Sequence, residues 1–268
     1  MTAASKPLIH IGVGGWTFEP WRGTFYPKGL VQSRELEFAS RKLTSIEING
    51  TYYGSQKPES FAKWHGETPE GFIFSVKGPR YATNRKVLAE AGPSIDKFFA
   101  SGVTRLKEKL GPINWQFMAT KKFDPDDFEK FLKLLPKSVD GFAIRHAVEV
   151  RHDSFRHPNF LALLREHGVA VITAADADYP QIVDITAPFV YVRIMGTQEN
   201  EPAGYSDATL RSWAKRASQW AAGKVPDGLS AVETKPAVRP VEDVFFYVIS
   251  GFKERNPAAA MKLIEILD

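Results

Sequence analysis

Charged and amide side chains occupy every second position of several strand-like segments. In the segment SIEINGTY (45–52), isoleucines at positions 46 and 48 alternate with Glu47 and Asn49. A carboxylate that is buried among apolar groups is costly unless it has a partner or a function. If both faces of this strand are buried, Glu47 and Asn49 therefore need an explanation beyond solvation.

The same alternation recurs in four further segments and assigns their polar side chains to one face. With the pair above, the set is Glu47, Asn49, Lys77, Gln116, Glu149, Arg151 and Arg193. In a closed parallel barrel, the apolar face of each strand packs on helices and the opposite face points inward. The polar groups lie toward the C-terminal strand ends, where barrel enzymes carry their active sites. The set predicts a functional pocket at one barrel mouth. The alternative is a structural ion network, Glu47 with Lys77 or Glu149 with Arg193, that holds the barrel register.

The residue types in this set indicate acid–base chemistry on an anionic ligand. Glu47 and Glu149 are candidate catalytic acid and base groups. Lys77 is a third candidate catalytic residue, because a lysine with a depressed pKa can transfer protons or form a Schiff base. Arg151 and Arg193 are candidate ligand-binding residues, since guanidinium groups suit phosphate or carboxylate. Three cations against two carboxylates predict an anionic ligand.

The remaining candidate ligand-binding residues are amide, aromatic and basic. They are Asn49, Gln116, Trp16, Tyr53 and Arg80. The amides would orient a ligand, and aromatic rings beside basic groups could stack on bases or sugars. Packing of the loops over the mouth is the simpler interpretation of the aromatic cluster, which also contains Trp21, Tyr26, Tyr52 and Trp64.

Side chains that could bind a metal are few at the predicted mouth. The available set is Glu47, Glu149, His152 and Asp176, with His10 at the opposite end of the first strand. No HExxH pattern is present, and hard-metal barrel sites need several inward ligands. We predict no metal site, and the sequence leaves any cofactor unknown.

Eight strand-like segments alternate with helical ones and would position these side chains. They are 10–16, 45–52, 72–78, 113–117, 146–152, 169–175, 189–195 and 243–250. This alternation predicts an α/β fold, a single-domain (β/α)8 TIM barrel. The run Gly12-Val13-Gly14-Gly15 is a weak dinucleotide signal because Trp16 follows it, so we reject a doubly wound sheet.

Several helix boundaries can be predicted from local signals. Apolar spacing predicts a helix over 95–110, Asp124 with Pro125 predicts a helix start, and Gly168 predicts a helix end. The segment 178–188 is short for a sixth helix. The Pro-rich segment 223–242 predicts an insertion or a flap before the last strand.

Composition describes an ordinary globular chain. Of its 268 residues 43% are hydrophobic and 25% charged, the net charge is +4, and there are no cysteines. The absence of cysteine excludes disulfides and thiolate chemistry. No apolar run approaches the ~18 residues of a membrane span, and the N-terminus lacks an apolar signal core. We expect a cytoplasmic protein without membrane partners, and the sequence does not give its oligomeric state.

Five sequence blocks together resemble domain of unknown function family 72, the YecE-like family. They are GVGGWTFEPWRGTFYPKGL (12–30), EINGTYYGSQKPESFAKWHGETPEGFIFSVKGPR (47–80), EVRHDSF (149–155), YVRIMG (191–196) and YSDATLRSWAKR (205–216). The resemblance implies a TIM barrel and no settled reaction, with an endonuclease-IV-like activity as a fold-level analogy. The chain departs from the family pattern at Asn84, at Gln116-Phe117-Met118-Ala119, at Met195 and at Ile249-Ser250.

We therefore expect a barrel that binds a small anionic or phosphorylated ligand at its mouth, with hydrolase or lyase activity. One alternative is a non-catalytic barrel that binds nucleic acid or protein. Another is a metal-dependent endonuclease-IV-like phosphodiesterase. A mouth filled by its own side chains, with Glu47 and Glu149 fully ion-paired, would indicate that the polar strand faces are structural and would rule out the enzyme hypothesis.

Overall fold

Eight parallel strands close into a barrel in the computed structural model, which describes residues 8–268. The strands are β1 (Leu8–Gly14), β2 (Ser45–Ile48), β3 (Ile73–Lys77), β4 (Leu110–Gln116), β5 (His146–Glu149), β6 (Ala170–Ala175), β7 (Phe189–Ile194) and β8 (Asp243–Val248). They neighbour one another in chain order, and β8 pairs with β1 from Leu8 opposite Asp243 to Val13 opposite Val248. The predicted single-domain TIM barrel is confirmed.

Helices follow seven of the eight barrel strands. They are α1 (Glu35–Ala39), α2 (Gly50–Tyr53), α3 (Pro58–Glu67), α4 (Arg80–Thr83), α5 (Gly92–Ala100), α6 (Pro125–Leu134), α7 (Pro158–His167), α8 (Asp207–Ala221) and α9 (Asn256–Leu267). Short 3-10 turns cover Glu19–Trp21, Gln32–Arg34, Leu88–Glu90, Val103–Lys109, Asp153–Phe155 and Lys253–Arg255, and a small hairpin pairs Ser138–Val139 with Phe142–Ala143. The link from β6 to β7 contains no helix, as the short segment 178–188 indicated.

The predicted helix ends are confirmed where a capping residue sets them. The carboxylate of Asp124 accepts bonds from two backbone N–H groups of the first turn of α6, which satisfies donors that the helix leaves free. Gly168 ends α7 in the left-handed region, with φ +66°. The prediction of one helix over 95–110 is wrong. Gly102 has φ +88° and lies so close to Pro58 that a Cβ would clash, so α5 stops and a 3-10 turn follows.

The interior of the barrel changes from apolar to charged along its axis. Its lower part holds an apolar and aromatic cluster of inward side chains, which includes Ala147, Ala170, Ile172, Phe189, Tyr191, Phe245 and Tyr247. One step further along β7 lies Arg193, which is also buried. Since side chains two positions apart point the same way, the strands carry their polar groups to the C-terminal mouth.

The Pro-rich segment 223–242 has no helix or strand but is tied to the body of the protein. The Asp184 carboxylate accepts bonds from the backbone N–H groups of Val232 and Glu233, at 2.8 and 3.1 Å. Its role as an insertion or flap stays a prediction, and so does the interpretation of residues 1–7, which lie outside the described residues. Between Leu8 and the C-terminus, no helix combines the length and the apolar character needed to cross a membrane.

Candidate ligand site at the barrel mouth

Five of the predicted site residues are buried together at the C-terminal ends of β2, β3, β4, β5 and β7. They are Glu47, Lys77, Gln116, Glu149 and Arg193. The parallel register explains their proximity, because Gln116 lies opposite Glu149 and Lys77 lies opposite Asn114. Asn49 and Arg151 lie at the rim and are half-buried. The seven polar groups that the period-two pattern assigned to one face therefore lie around one mouth.

Glu47 uses both of its carboxylate oxygens inside the protein. Oε1 accepts a bond from Arg193 at 3.1 Å. Oε2 accepts bonds from the Asn114 amide at 3.1 Å and from the Tyr191 hydroxyl at 2.5 Å. The side chain is fully buried, so no part of this carboxylate is available to a ligand.

Both carboxylate oxygens of Glu149 are likewise hydrogen-bonded inside the protein. Its Oε1 accepts from Nε and Nη2 of Arg151 at 2.7 and 2.6 Å, and its Oε2 accepts from Nη1 of Arg193. Burial alone would raise the pKa of Glu149, but Arg193 and Arg151 overcome it and hold the pKa at about 2. Arg193 thus bridges the two glutamates, and the two carboxylates raise its pKa above the ordinary value despite its burial.

Both glutamates are therefore ion-paired, as the alternative of a structural ion network requires. The predicted pair of Glu149 with Arg193 is present. The predicted pair of Glu47 with Lys77 is wrong, because Glu47 pairs with Arg193 instead. A buried carboxylate whose two oxygens are both hydrogen-bonded is not free to act as an acid or a base.

Lys77 differs from the other charged groups because it lacks a carboxylate partner. Its ammonium donates to the Gln116 side-chain oxygen at 2.5 Å and lies 5.1 Å from the ring centre of Tyr52. Within residues 8–268, no carboxylate oxygen lies within 4 Å of it. Burial and the neighbouring Arg193 lower the pKa of Lys77 to about 8, although both glutamates raise it in part.

Lys109, a second buried lysine, has a structural role in which every donor of its ammonium is hydrogen-bonded. Lys109 donates to the backbone oxygens of His65 and Thr68 at 2.7 Å each and to the Thr68 hydroxyl at 3.1 Å. An ammonium has three donors, and Lys109 uses all of them. Lys77 uses one, so two donors remain for a ligand.

Arg151 continues the mouth toward solvent. Its side chain is 20% exposed, its Nη1 donates to the Tyr179 hydroxyl at 3.3 Å, and its guanidinium lies 4.3 Å from the centre of that ring. The stacked ring of Tyr179 and the carboxylate of Glu149 together fix the guanidinium in place.

Asn49 and Trp16 belong to a neighbouring cavity of about 320 Å³, which Trp64 and Lys253 also line. The buried Oδ1 of Asn49 has no hydrogen-bond partner among the described residues. The indole rings of Trp16 and Trp64 pack edge to face at 5.1 Å. Neither Glu47 nor Lys77 lines this cavity.

The other predicted aromatic and basic residues separate into core and surface. Trp21 and Tyr26 are fully buried, as loop packing requires. Tyr53 is 66% exposed, and the guanidinium of Arg80 lies 5.7 Å from its ring centre. Tyr53 and Arg80 thus lie outside the charged mouth.

Of the side chains considered for metal binding, Glu47 and Glu149 lie at the mouth and are paired with arginine, and the other three have partners of their own. His152 bonds to Ser154, Asp176 accepts from Tyr205, and His10 bonds to Asp243 at the far end of β1. Glu129, Glu166 and His167 approach one another on the outer helices, and exposed acidic groups commonly do so without an ion.

Two residues of the site, Asn114 and Tyr179, are not identified by the sequence analysis. Asn114 lies two positions before Gln116 on the same face of β4, so the period-two signal does contain it. Tyr179 lies in the segment after β6 that has no helix or strand, and no periodicity marks it.

The departures from the family pattern leave two strand ends apolar. Met195 after β7 and Ile249 after β8 are both buried. Arg193 and Tyr247 are consequently the polar groups that these strands direct inward, and the charged cluster is concentrated on β2 to β5 and β7.

The fold and the site define a TIM-barrel protein whose mouth carries three cations and two carboxylates. The chain belongs to the family described as protein of unknown function DUF72, whose sequence pattern matches residues 10–268.

The relatives agree with this assignment. UPF0759 protein YecE of Escherichia coli strain K12 is 27% identical over 148 residues, which are 55% of this chain and 50% of YecE. The chain thus spans about half the length of the curated relatives it matches. A DUF72 family protein from Thermotoga maritima superposes with a TM-score of 0.73 at 22% identity, over 97% of this chain and 99% of the other. One from Enterococcus faecalis has a TM-score of 0.70 at 17% identity, over 97% and 98%. At these identities the superpositions show the fold.

Proposed function

We propose that the barrel mouth binds a small anionic ligand, a carboxylate or a phosphate, and that Lys77 is the group that exchanges a proton with it. The observation that carries the proposal is the unpaired ammonium of Lys77, which has two unused donors beside a fixed arginine. Charge balance supports it. Lys77, Arg151 and Arg193 carry three positive charges, and Glu47 and Glu149 carry two negative ones.

A buried excess charge is costly in a medium of low dielectric constant. The protein can relieve it by releasing the proton of Lys77 or by binding an anion. The lowered pKa of Lys77 reflects the first route, and the second requires only a ligand small enough to reach the ammonium. The remaining N–H donors on Nη1 and Nη2 of Arg151 supply a second contact, since guanidinium groups bind carboxylate and phosphate in a fork.

Lys77 also fits a catalytic role better than either glutamate. A group with a pKa of about 8 is neutral in roughly one molecule in ten at pH 7, which suits a base or a nucleophile. Lyase chemistry that starts with proton removal or Schiff-base formation follows from such an amine. A hydrolase that uses Glu47 and Glu149 as acid and base lacks a free carboxylate oxygen, so the lyase reading is preferred.

The proposal is tested by calorimetric titration of the intact protein with inorganic phosphate and with short carboxylates. We expect saturable binding at pH 7 that weakens by about tenfold or more above pH 9, where the amine is neutral, because a hydrogen bond to a charged group contributes more than one to a neutral group. Lys77→Met should abolish binding, while Lys109→Met should leave the affinity unchanged if it folds. Binding that is equal in wild type and Lys77→Met would refute the proposal. Lys224→Gln, on the surface after α8, gives a second control that preserves the fold.

A further inference from the structure

A larger cavity lies beside the charged mouth and is lined in part by α2. Its volume is about 590 Å³, and α2, α4 and α5 form its walls. Thr51 separates it from the mouth, since its side chain lines the cavity and its hydroxyl donates to the Lys77 carbonyl at 2.6 Å. We call this cavity the tyrosine cleft. Its volume is that of a small-molecule site, and Lys77 does not line it.

Two exposed tyrosines line the cleft, with an arginine between them. Tyr53 is 66% exposed and Tyr81 is 59% exposed. The guanidinium of Arg80 lies 5.7 Å from the first ring centre and 5.4 Å from the second. Exposed rings with a neighbouring guanidinium offer a face on which a planar group can stack.

The cleft is cationic and has no acidic lining residue. Arg85 and Lys97 line it, and within residues 8–268 neither these two nor Arg80 forms an ion pair within 4 Å. Arg85 is held in place, because its Nε donates to the Tyr81 carbonyl at 3.0 Å and its Nη2 donates to the Ser94 hydroxyl at 3.1 Å. Its Nη1 has no acceptor among the described residues and is therefore available to an anion.

From these contacts we infer that the tyrosine cleft binds a nucleotide unit, with the base against Tyr81 and the phosphate on Arg85 and Lys97. The ring surface, the fixed guanidinium and the missing carboxylates each favour a planar group that carries an anion. A free nucleotide and a nucleotide within a single strand share this chemistry. The inference is independent of Lys77, so the two proposals can fail separately.

The experiment is a fluorescence titration of the full chain with AMP and with a labelled ten-nucleotide thymidine strand. The variants are Arg85→Gln, Lys97→Gln and Tyr81→Ala, all on the surface of the cleft. Lys224→Gln removes one exposed charge after α8 and serves as the matched control. We expect each cleft variant to weaken binding about tenfold, because one stacked base or one charge-assisted bond contributes that much, and Lys224→Gln to have no effect.

The probes separate the sources of the ligand. Saturable binding of AMP that depends on Arg85 and Tyr81 supports a free-nucleotide site. Binding of the strand alone, with the same dependence and a salt slope reduced by about one in Lys97→Gln, supports a single-strand site. Absence of binding of both probes, or equal losses in Lys224→Gln and in the cleft variants, overturns the inference. Inorganic phosphate that competes as well as AMP, together with an inert Tyr81→Ala, overturns the stacking of the base.

Discussion

Replacing Lys77 by methionine should stabilise the protein at neutral pH and not at alkaline pH. The folded protein holds this ammonium at a pKa of about 8, against 10.5 for an ordinary lysine. Since one pKa unit corresponds to about 1.4 kcal/mol, the charged lysine costs roughly 3 kcal/mol of stability at pH 7. Methionine has a similar shape and removes that charge.

The substitution also removes the bond from Lys77 to the Gln116 oxygen, which costs about 1–2 kcal/mol. The net expectation at pH 7 is a gain of about 1–2 kcal/mol in the free energy of unfolding. Between pH 8 and 10.5 the unfolded chain keeps a proton that the folded wild type has released, so wild-type stability rises across this window. By pH 10 the penalty has fallen to roughly 1 kcal/mol, and the variant should be equal to wild type or less stable.

Urea unfolding of wild type and Lys77→Met at pH 7 and pH 10 measures this difference directly. The comparison at each pH cancels the titration of all groups that the two proteins share. Lys109→Met is the matched control, because it removes three satisfied bonds and should destabilise by at least about 2 kcal/mol at both pH values. A Lys77→Met variant that is less stable than wild type at pH 7, or a difference that does not change with pH, would refute the reasoning.

Three further substitutions test the network and the fold. Glu149→Gln should lower the free energy of unfolding by about 3 kcal/mol at pH 7, because it leaves Arg193 and Arg151 without their shared carboxylate. The pKa of Glu149 is about 2, so its contribution is present above pH 4.5 and is lost toward pH 2, and urea curves of the two proteins should converge on acidification. Tyr191→Phe should cost about 1.5–3 kcal/mol by urea unfolding, since it removes a donor to the buried Glu47; an unchanged midpoint would contradict the described bond. Asp124→Ala should cost about 1 kcal/mol, measured as a lower thermal midpoint, because the cap of α6 is lost, whereas Asp126→Ala, beside it, serves as the control with a smaller effect.

Local chemistry determined much of the fold. Strand alternation separates an apolar face from a polar one wherever both faces are buried, and that property depends only on the order of residues. Asp124 and Gly168 set helix ends because capping involves groups within a few positions of one another. The helix predicted over 95–110 is wrong because Gly102 adopts φ +88°, a left-handed conformation that ends α5, and the apolar spacing did not reveal this local stop.

The same division applies to the site. The alternation of side chains along each strand predicted that Glu47, Lys77 and Glu149 lie at one mouth, because the direction of a side chain is a local property. The pairing among them was decided by the tertiary structure, since barrel closure brings Arg193 of β7 between two glutamates from β2 and β5. Once Arg193 occupies both carboxylates, Lys77 is left as the unpaired charge, and this depends on distances across the barrel that the order of residues does not specify.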